Sequence, residues 1–260
     1  MLLENKTAIV YGGGGRVGGA VARAFAREGA RVFVTGHHRT TLDEVAEEID
    51  TAGGRAEVAE VDALDEQAVD DHAAEVARTA GGVDISFNAI GHGDVHGAPL
   101  LEMPYQDFVR PVATAMRTLF LTTRAAARHM VRQGSGVVMT ITATTARLAI
   151  PEVGGTGVTF DAMESQCRQW ATELGRQGIR VVWLRTTGLP EALSEEMAPA
   201  YGRGRPMTRD EHIAWMEGAT MLGRLTTLED LGHAAAFLAS DRASATTGAA
   251  ANITCGAVPD

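Results

Sequence analysis

A single α/β domain, with a doubly wound parallel sheet between two layers of helices, is the fold class that three observations predict. Short apolar runs alternate with helical stripes along the whole chain. A glycine cluster, Gly12 to Gly15, ends the first apolar run. The 260 residues, 45% of them apolar, suit one sizeable core. No repeat and no linker rich in Pro and Ser divides the chain, so residues 1–260 read as one domain. Strands separated by helices need crossover connections, which are right-handed and leave a parallel sheet covered on both faces.

The elements follow in order. Thr7 to Tyr11 is a short apolar run that stops at glycines, hence a buried strand. Val17 to Arg27 places Val17, Val21, Ala24 and Phe25 in one helical stripe. Arg31 to Thr35 is a second strand, and Leu42 to Ile49 a second helix through Leu42, Val45, Ala46 and Ile49. Ala56 to Val61 is a third strand, followed by a helix from Asp65 to Ala80. Val83 to Ile90 is a fourth strand, and a long helix runs from Asp107 to Gln133. Gly136 to Thr142 is a fifth strand, Ala162 to Arg176 a helix, and Arg180 to Leu184 a sixth strand. Leu228 to Ala239 is helical, and Ala250 to Ile253 is the last strand.

Residues 186–225 break the alternation. They carry Leu189, Leu193, Met197, Tyr201, Met207, Ile213, Trp215, Met216 and Met221 without a regular period. Long irregular segments in compact domains are often binding loops, and this one leaves the carboxyl end of a strand, the edge where open α/β sheets bind ligands. It reads as an apolar substrate lid, or else as a helical excursion that buries its own apolar face or a subunit interface.

Charge and cysteine usage narrow the setting. A net charge of -10 argues against a nucleic-acid partner and against an anionic membrane surface. No apolar run is long enough to span a bilayer, and nothing before Lys6 reads as a signal peptide. Two cysteines, Cys167 and Cys255, cannot make a disulfide framework or a thiolate cluster, so a reducing, cytoplasmic compartment is expected.

Tyr11-Gly12-Gly13-Gly14-Gly15-Arg16-Val17-Gly18 lies between the first strand and the first helix. Glycine lets the backbone turn tightly and approach a pyrophosphate, while backbone amides and the helix N-terminus face its charge. At the first strand-to-helix turn of a repeating βα chain, this predicts a Rossmann-type dinucleotide site. An acidic residue about 20 positions beyond the glycines would select NAD through the ribose 2′-hydroxyl. The region instead reads Gly36-His37-His38-Arg39, with no carboxylate. Arg39, Arg16 and the histidines suit a 2′-phosphate, so NADP(H) is expected in preference to NAD(H).

With these residues in hand, the chain resembles the short-chain dehydrogenase/reductase family over nearly its full length. Gly12 to Gly18 sits at the family's glycine motif, with Arg16 where the middle glycine is expected. Asp62, followed by Ala63, matches the aspartate that faces the adenine. Asp84 to Gly91 looks like the fourth-strand motif, with Asn88 retained and Ala89 replacing the second asparagine. Gly223-Arg224-Leu225, Glu229-Asp230, Phe237 to Asp241 and Thr247-Gly248 follow the closing pattern. The resemblance implies a nicotinamide cofactor held by Gly12, Gly14, Gly15, Arg16, Val17, Gly18, His37, Arg39, Asp62, Ala63, Asn88, Ala89 and Ile90. It also implies a homodimer or homotetramer built on the two long helices.

The family's Asn, Ser, Tyr and Lys set does not carry over. Counting back from Glu173-Leu174-Gly175, the tyrosine position falls on Thr156 and the lysine position on Phe160. The asparagine position falls on Ala115, and the serine position on Ala143, or on Thr142 with a slip of one. Lys6 is the only lysine, and Tyr11, Tyr105 and Tyr201 lie in other segments. In the family the lysine lowers the tyrosine pKa so that the phenol exchanges a proton with the substrate oxygen, help worth roughly 10²–10⁴-fold. A threonine hydroxyl is too poor an acid to replace it.

Replacement groups are at hand after the fourth strand, in Gly91-His92-Gly93-Asp94-Val95-His96-Gly97. His92 with Asp94 supplies a group that titrates near neutral pH. His92, Asp94 and His96 alternate and also suit a metal, but three ligands this close lack a fourth, so no metal is expected. Thr142, Thr144 and Thr145 at the end of the fifth strand offer hydroxyls for a substrate oxygen. His92, Asp94, Thr142 and Thr156 are therefore the expected catalytic residues. The expected activity is NADP(H)-dependent hydride transfer to a small hydrophobic carbonyl, imine or enone with a displaced proton donor. An isomerase, cyclase or lyase on the same scaffold, or a silent cofactor-binding partner protein, remains the alternative, because function lives in the site rather than in the fold.

Overall fold

The computed structural model of the protein describes residues 1–193 and 205–259. Strand β1 is an apolar run stopped by Gly12, and the later elements alternate from there. The first half of the chain alternates β1 (Thr7–Tyr11), α1 (Arg16–Arg27), β2 (Arg31–Gly36), α2 (Arg39–Thr51), β3 (Arg55–Glu60), α3 (Glu66–Ala80) and β4 (Ile85–Asn88). The second half contains α4 (Tyr105–Gln133), β5 (Gly136–Ala143), α5 (Thr156–Leu174), β6 (Ile179–Thr186), α6 (Arg209–Glu217), α7 (Leu228–Ala239) and β7 (Ala249–Asn252). Among the described residues the strands form one parallel sheet in the order β3-β2-β1-β4-β5-β6-β7. This is the doubly wound, Rossmann-type arrangement the alternation predicts. No helix among the described residues is long and apolar enough to cross a membrane.

Side-chain alternation sorts the core into two layers. In β1, Ala8 and Val10 face a layer that also holds Val21, Phe25, Val34 and Leu231. Ile9 and Tyr11 face the other, with Leu119, Met130, Val138 and Trp183. The topological switch lies between β1, which pairs with β2, and β4 on its other side. There the sheet's carboxyl edge opens a crevice.

Several boundaries differ from the sequence expectation for identifiable reasons. Helix α5 begins at Thr156, not at Ala162, because its first buried positions are Thr156 and Thr159 rather than apolar residues. Helix α2 begins at Arg39, three residues before its first buried side chain, Leu42. Strand β4 is only Ile85–Asn88, since Ile90 N turns back to donate to Asn88 Oδ1 at 3.2 Å. The irregular segment 186–225 is regular in part. Thr208 and Glu211 form a reciprocal capping box that starts α6, inside which His212 is buried. Met197 and Tyr201 of the expected lid lie outside the described residues.

Between β6 and α5 the second core layer holds a buried ion pair. Arg185 donates from Nε to Glu164 Oε1 at 2.8 Å and from Nη2 to Oε2 at 2.7 Å. Both side chains are almost wholly buried, and Arg147 reaches the same carboxylate at 3.5 Å. Burial alone would raise the Glu164 pKa. The hydrogen bonds and charge of Arg185, with Thr142 and Arg147, outweigh it and hold the carboxyl below its ordinary range. The stability from this pair is therefore present at neutral pH and is lost as pH falls through the depressed pKa. Glu164→Leu takes the carboxylate away from the buried Arg185 guanidinium and is expected to cost about 3–5 kcal/mol in urea denaturation. A change within about 0.5 kcal/mol, as at an ordinary surface site, contradicts this account.

Candidate active site at the carboxyl edge of the sheet

The β1–α1 turn passes in contact with the end of β4. Gly12 has φ +76°, and a Cβ there would lie 2.6 Å from the Ala89 carbonyl oxygen. A Cβ on Gly18 would lie 2.2 Å from the Gly12 oxygen, so this glycine packs the helix under its own turn. Helix α1 starts at Gly15 with no side-chain cap and no acidic residue in its first turn. Its amino end is thus left bare for an anion.

A cleft of about 390 Å³ opens beside this turn. Of the expected cofactor residues, Gly12, Gly14, Gly15, His37, Ala63, Ala89 and Ile90 line it. Thr41, Leu64 and Thr114 line it too, and sequence reasoning missed them. Asp62 sits at its rim, accepting from Leu64 N at 2.8 Å and lying 3.5 Å from His37 Nε2. Asn88 does not line the cleft. It donates to Thr122 Oγ1 at 3.0 Å and shapes the turn after β4. Val17 packs against the core.

The two arginines expected at a 2′-phosphate point elsewhere. Arg16 donates to the Glu191 carbonyl at 2.6 Å and so ties the start of α1 to the segment after β6. Arg39 donates from Nε to both Asp43 oxygens, at 2.8 and 3.0 Å, across one exposed helical turn. A larger cleft, about 680 Å³, lies at the opposite edge beside Lys6, Arg23 and Arg55. Position favours the smaller one, because open parallel sheets bind ligands at their carboxyl edge. Lys6 precedes β1 and pairs with Asp241 at 3.4 Å, far from the glycine turn in the sheet.

The loop after β4 folds onto the start of α5. Thr156 Oγ1 donates to Asp94 Oδ1 at 3.0 Å, and His96 Nε2 lies 2.8 Å from the same hydroxyl. His92 is buried edge-on against Phe160, with ring centroids 5.8 Å apart. Burial lowers the His92 and His96 pKa values, and the Asp94 charge opposes that shift in both. Among the described residues no three His, Cys, Asp or Glu side chains are placed to hold a metal ion. Asp94, Thr156 and His96 thus come together, and His92 lies within range of the Asp94 charge.

Thr142 does not join them. It faces α5, where its hydroxyl donates to Glu164 Oε1 at 3.1 Å. The structure therefore corrects the expectation that Thr142 offers its hydroxyl to a substrate. Thr145 Oγ1 is instead buried with no hydrogen-bond partner among the described residues. Tyr11, the tyrosine nearest the glycine turn, faces the core beside His72 at 6.3 Å between ring centroids. Burial, and then the Asp70 charge, push its phenol pKa up.

A tight glycine turn, a bare helix N-terminus and a cleft at the topological switch are the features of a Rossmann-type α/β domain. The family profile described as Enoyl-(Acyl carrier protein) reductase matches residues 16–257. The L-rhamnose 1-dehydrogenase (NAD(P)(+)) of Azotobacter vinelandii is 33% identical over 260 residues, 96% of this chain and 95% of its own. The gluconate 5-dehydrogenase of Gluconobacter oxydans is 30% identical over 246 residues, 95% of this chain and 92% of its own. A crystal structure of 7α-hydroxysteroid dehydrogenase with NADH and 7-oxoglycochenodeoxycholic acid superposes with a TM-score of 0.82. It is 26% identical and covers 99% of this chain and 96% of that one. The chain belongs to the short-chain dehydrogenase/reductase family. Its relatives are oxidoreductases that use nicotinamide cofactors, and the close glycine approach and uncapped helix start fit such a group.

Gly18→Ala is expected to weaken dinucleotide binding by about tenfold or more, about 1.4 kcal/mol, in a fluorescence titration. Unaltered affinity in a folded variant removes the glycine turn from the binding site.

Proposed function

We propose that the protein is an NADP(H)-dependent oxidoreductase acting on a small hydrophobic carbonyl, imine or enone, with a proton donor other than the family's Tyr-Lys pair. The carrying observation is the glycine turn and its cleft, retained in a chain whose relatives are dehydrogenases. When bound, the nicotinamide supplies or accepts the hydride. Gly12, Gly14 and Gly15, with the amino end of α1, would hold the pyrophosphate. Ala63 and Asp62 would flank the adenine, and Ala89 and Ile90 would line the path onward.

The preference for NADP(H) rests on the lack of a carboxylate after β2 and on His37 and His38 at the cleft. Arg39 would serve a 2′-phosphate by leaving Asp43, an exposed pairing worth little to lose. A hydrophobic substrate is favoured by the segment leading to α6, where Met207 is buried and Met216 packs against Gly188. An acceptor already activated towards hydride needs less acid help, which suits Ala115, Ala143, Thr156 and Phe160 at the family's catalytic positions. A homodimer or homotetramer would use α4 and α5, where Phe120 lies tilted against Trp170 at 5.5 Å between ring centroids and Phe120 and Val158 stay exposed. Both cysteines are free thiols, as suits a reducing, cytoplasmic setting.

The same four replacements favour a second reading, a non-redox enzyme or a silent partner protein. Titration with NADPH and NADH separates the two. NADPH-selective binding supports the oxidoreductase, whereas binding of neither leaves the second reading. Arg39→Ala is expected to weaken NADPH by about tenfold, the worth of one charge-assisted hydrogen bond, while sparing NADH. Equal losses for both dinucleotides remove the 2′-phosphate assignment.

A further inference from the structure

His96 Nε2 lies 2.8 Å from the hydroxyl of Thr156, sixty residues away in the chain. A threonine hydroxyl has one proton, and here it points to Asp94 Oδ1. The same oxygen must then accept from His96, so His96 Nε2 carries a proton. In the neutral ring this leaves Nδ1 as the lone pair. In the imidazolium the second proton sits on Nδ1, which has no hydrogen-bond partner among the described residues. The carboxylate of Asp94 thus acts through Thr156 to fix the ring's tautomer and to favour its charged form.

We propose that His96 is the catalytic acid-base of this site, passing a proton between Nδ1 and the substrate oxygen, with Thr156 and Asp94 as its positioning residues. The proposal rests on the oxidoreductase reading above and supplies its missing proton donor. Thr156 stands where the family's tyrosine would, and its side chain is several atoms shorter. The imidazole of His96 begins where the threonine ends, on the hydroxyl itself. Carbonyl reduction adds a hydride to carbon and a proton to oxygen. Nδ1–H gives up that proton, the ring becomes neutral with Nε2–H still on Thr156, and water reprotonates it. In oxidation Nδ1 takes the alcohol proton instead.

The surroundings favour His96 over His92. His92 is 7% exposed, packs on Phe160, and makes no protein hydrogen bond among the described residues. His96 is half-buried and anchored. Charged groups stand on the elements around it. Asp94 lies on its own loop, and His212 of α6 is buried within range of its charge. Glu152, before α5, accepts from Gly97 N through its backbone oxygen at 2.8 Å. Arg110 of α4 lies against Gly93 and is paired with Asp107. Burial holds the His96 pKa below its ordinary value, and Asp94 restores part of it. Acid assistance to reduction should therefore fall as pH rises through a pKa below that of free histidine.

The test uses the full chain. Nitrogen-15 NMR of the free protein should find neutral His96 as the Nε2–H tautomer, and D94N should lower its pKa further. With NADPH and a carbonyl acceptor, H96Q should cut kcat by roughly 10²–10³-fold and leave NADPH affinity within about twofold. T156V should lose part of kcat, and T156S should restore it, which a merely structural role would not do. Full turnover with an unaltered pH profile in H96Q, or an Nδ1–H tautomer, overturns the proposal while the oxidoreductase reading stands. Wild-type protein that binds neither dinucleotide overturns both.

Discussion

The close passage of Gly12 over Ala89 constrains everything at the carboxyl edge of the sheet. Strands β1 and β4 are neighbours, yet the chain leaves them in different directions, towards α1 and towards the histidine loop. Any side chain at position 12 would collide with the β4 backbone and push those exits apart. Keeping them together places the bare end of α1, the cleft and the His92–His96 loop around one switch point. The site is thus a product of backbone proximity first and of side-chain chemistry second.

Two polar systems flank that point and differ in exposure and purpose. The Glu164–Arg185 pair is sealed in the core layer under α5 and consumes the Thr142 hydroxyl. The Asp94–Thr156–His96 chain lies at the head of the same helix, partly open to solvent. Helix α5 therefore carries charge balance in its middle and proton chemistry at its start. Phe160, one helical turn from each, packs against His92.

Much of this architecture was legible in the sequence. Short apolar runs alternating with helical stripes located the strands. What escaped notice depends on tertiary placement. The pairing of His96 with Thr156 spans sixty positions and leaves no local trace. Thr142 looked available at a strand end, but strand parity turns it towards α5. Arg39 was read towards a phosphate because no carboxylate follows β2, and its pairing with Asp43 went unseen because α2 was started at Leu42. Beginning the helix at Arg39 sets Asp43 one turn away, and the exposed pair follows. The start of α5 was missed because Thr156 and Thr159 bury small polar side chains where an apolar stripe was sought.

The lone lysine has a practical corollary. Lys6 is the only side-chain amine in the chain, and it stands at the strand's amino end beside Asp241. The glycine turn and the histidine loop stand at the other end of the same sheet. A dye or tether carried by a lysine side chain therefore has one address, at the amino edge of the sheet and away from the glycine turn.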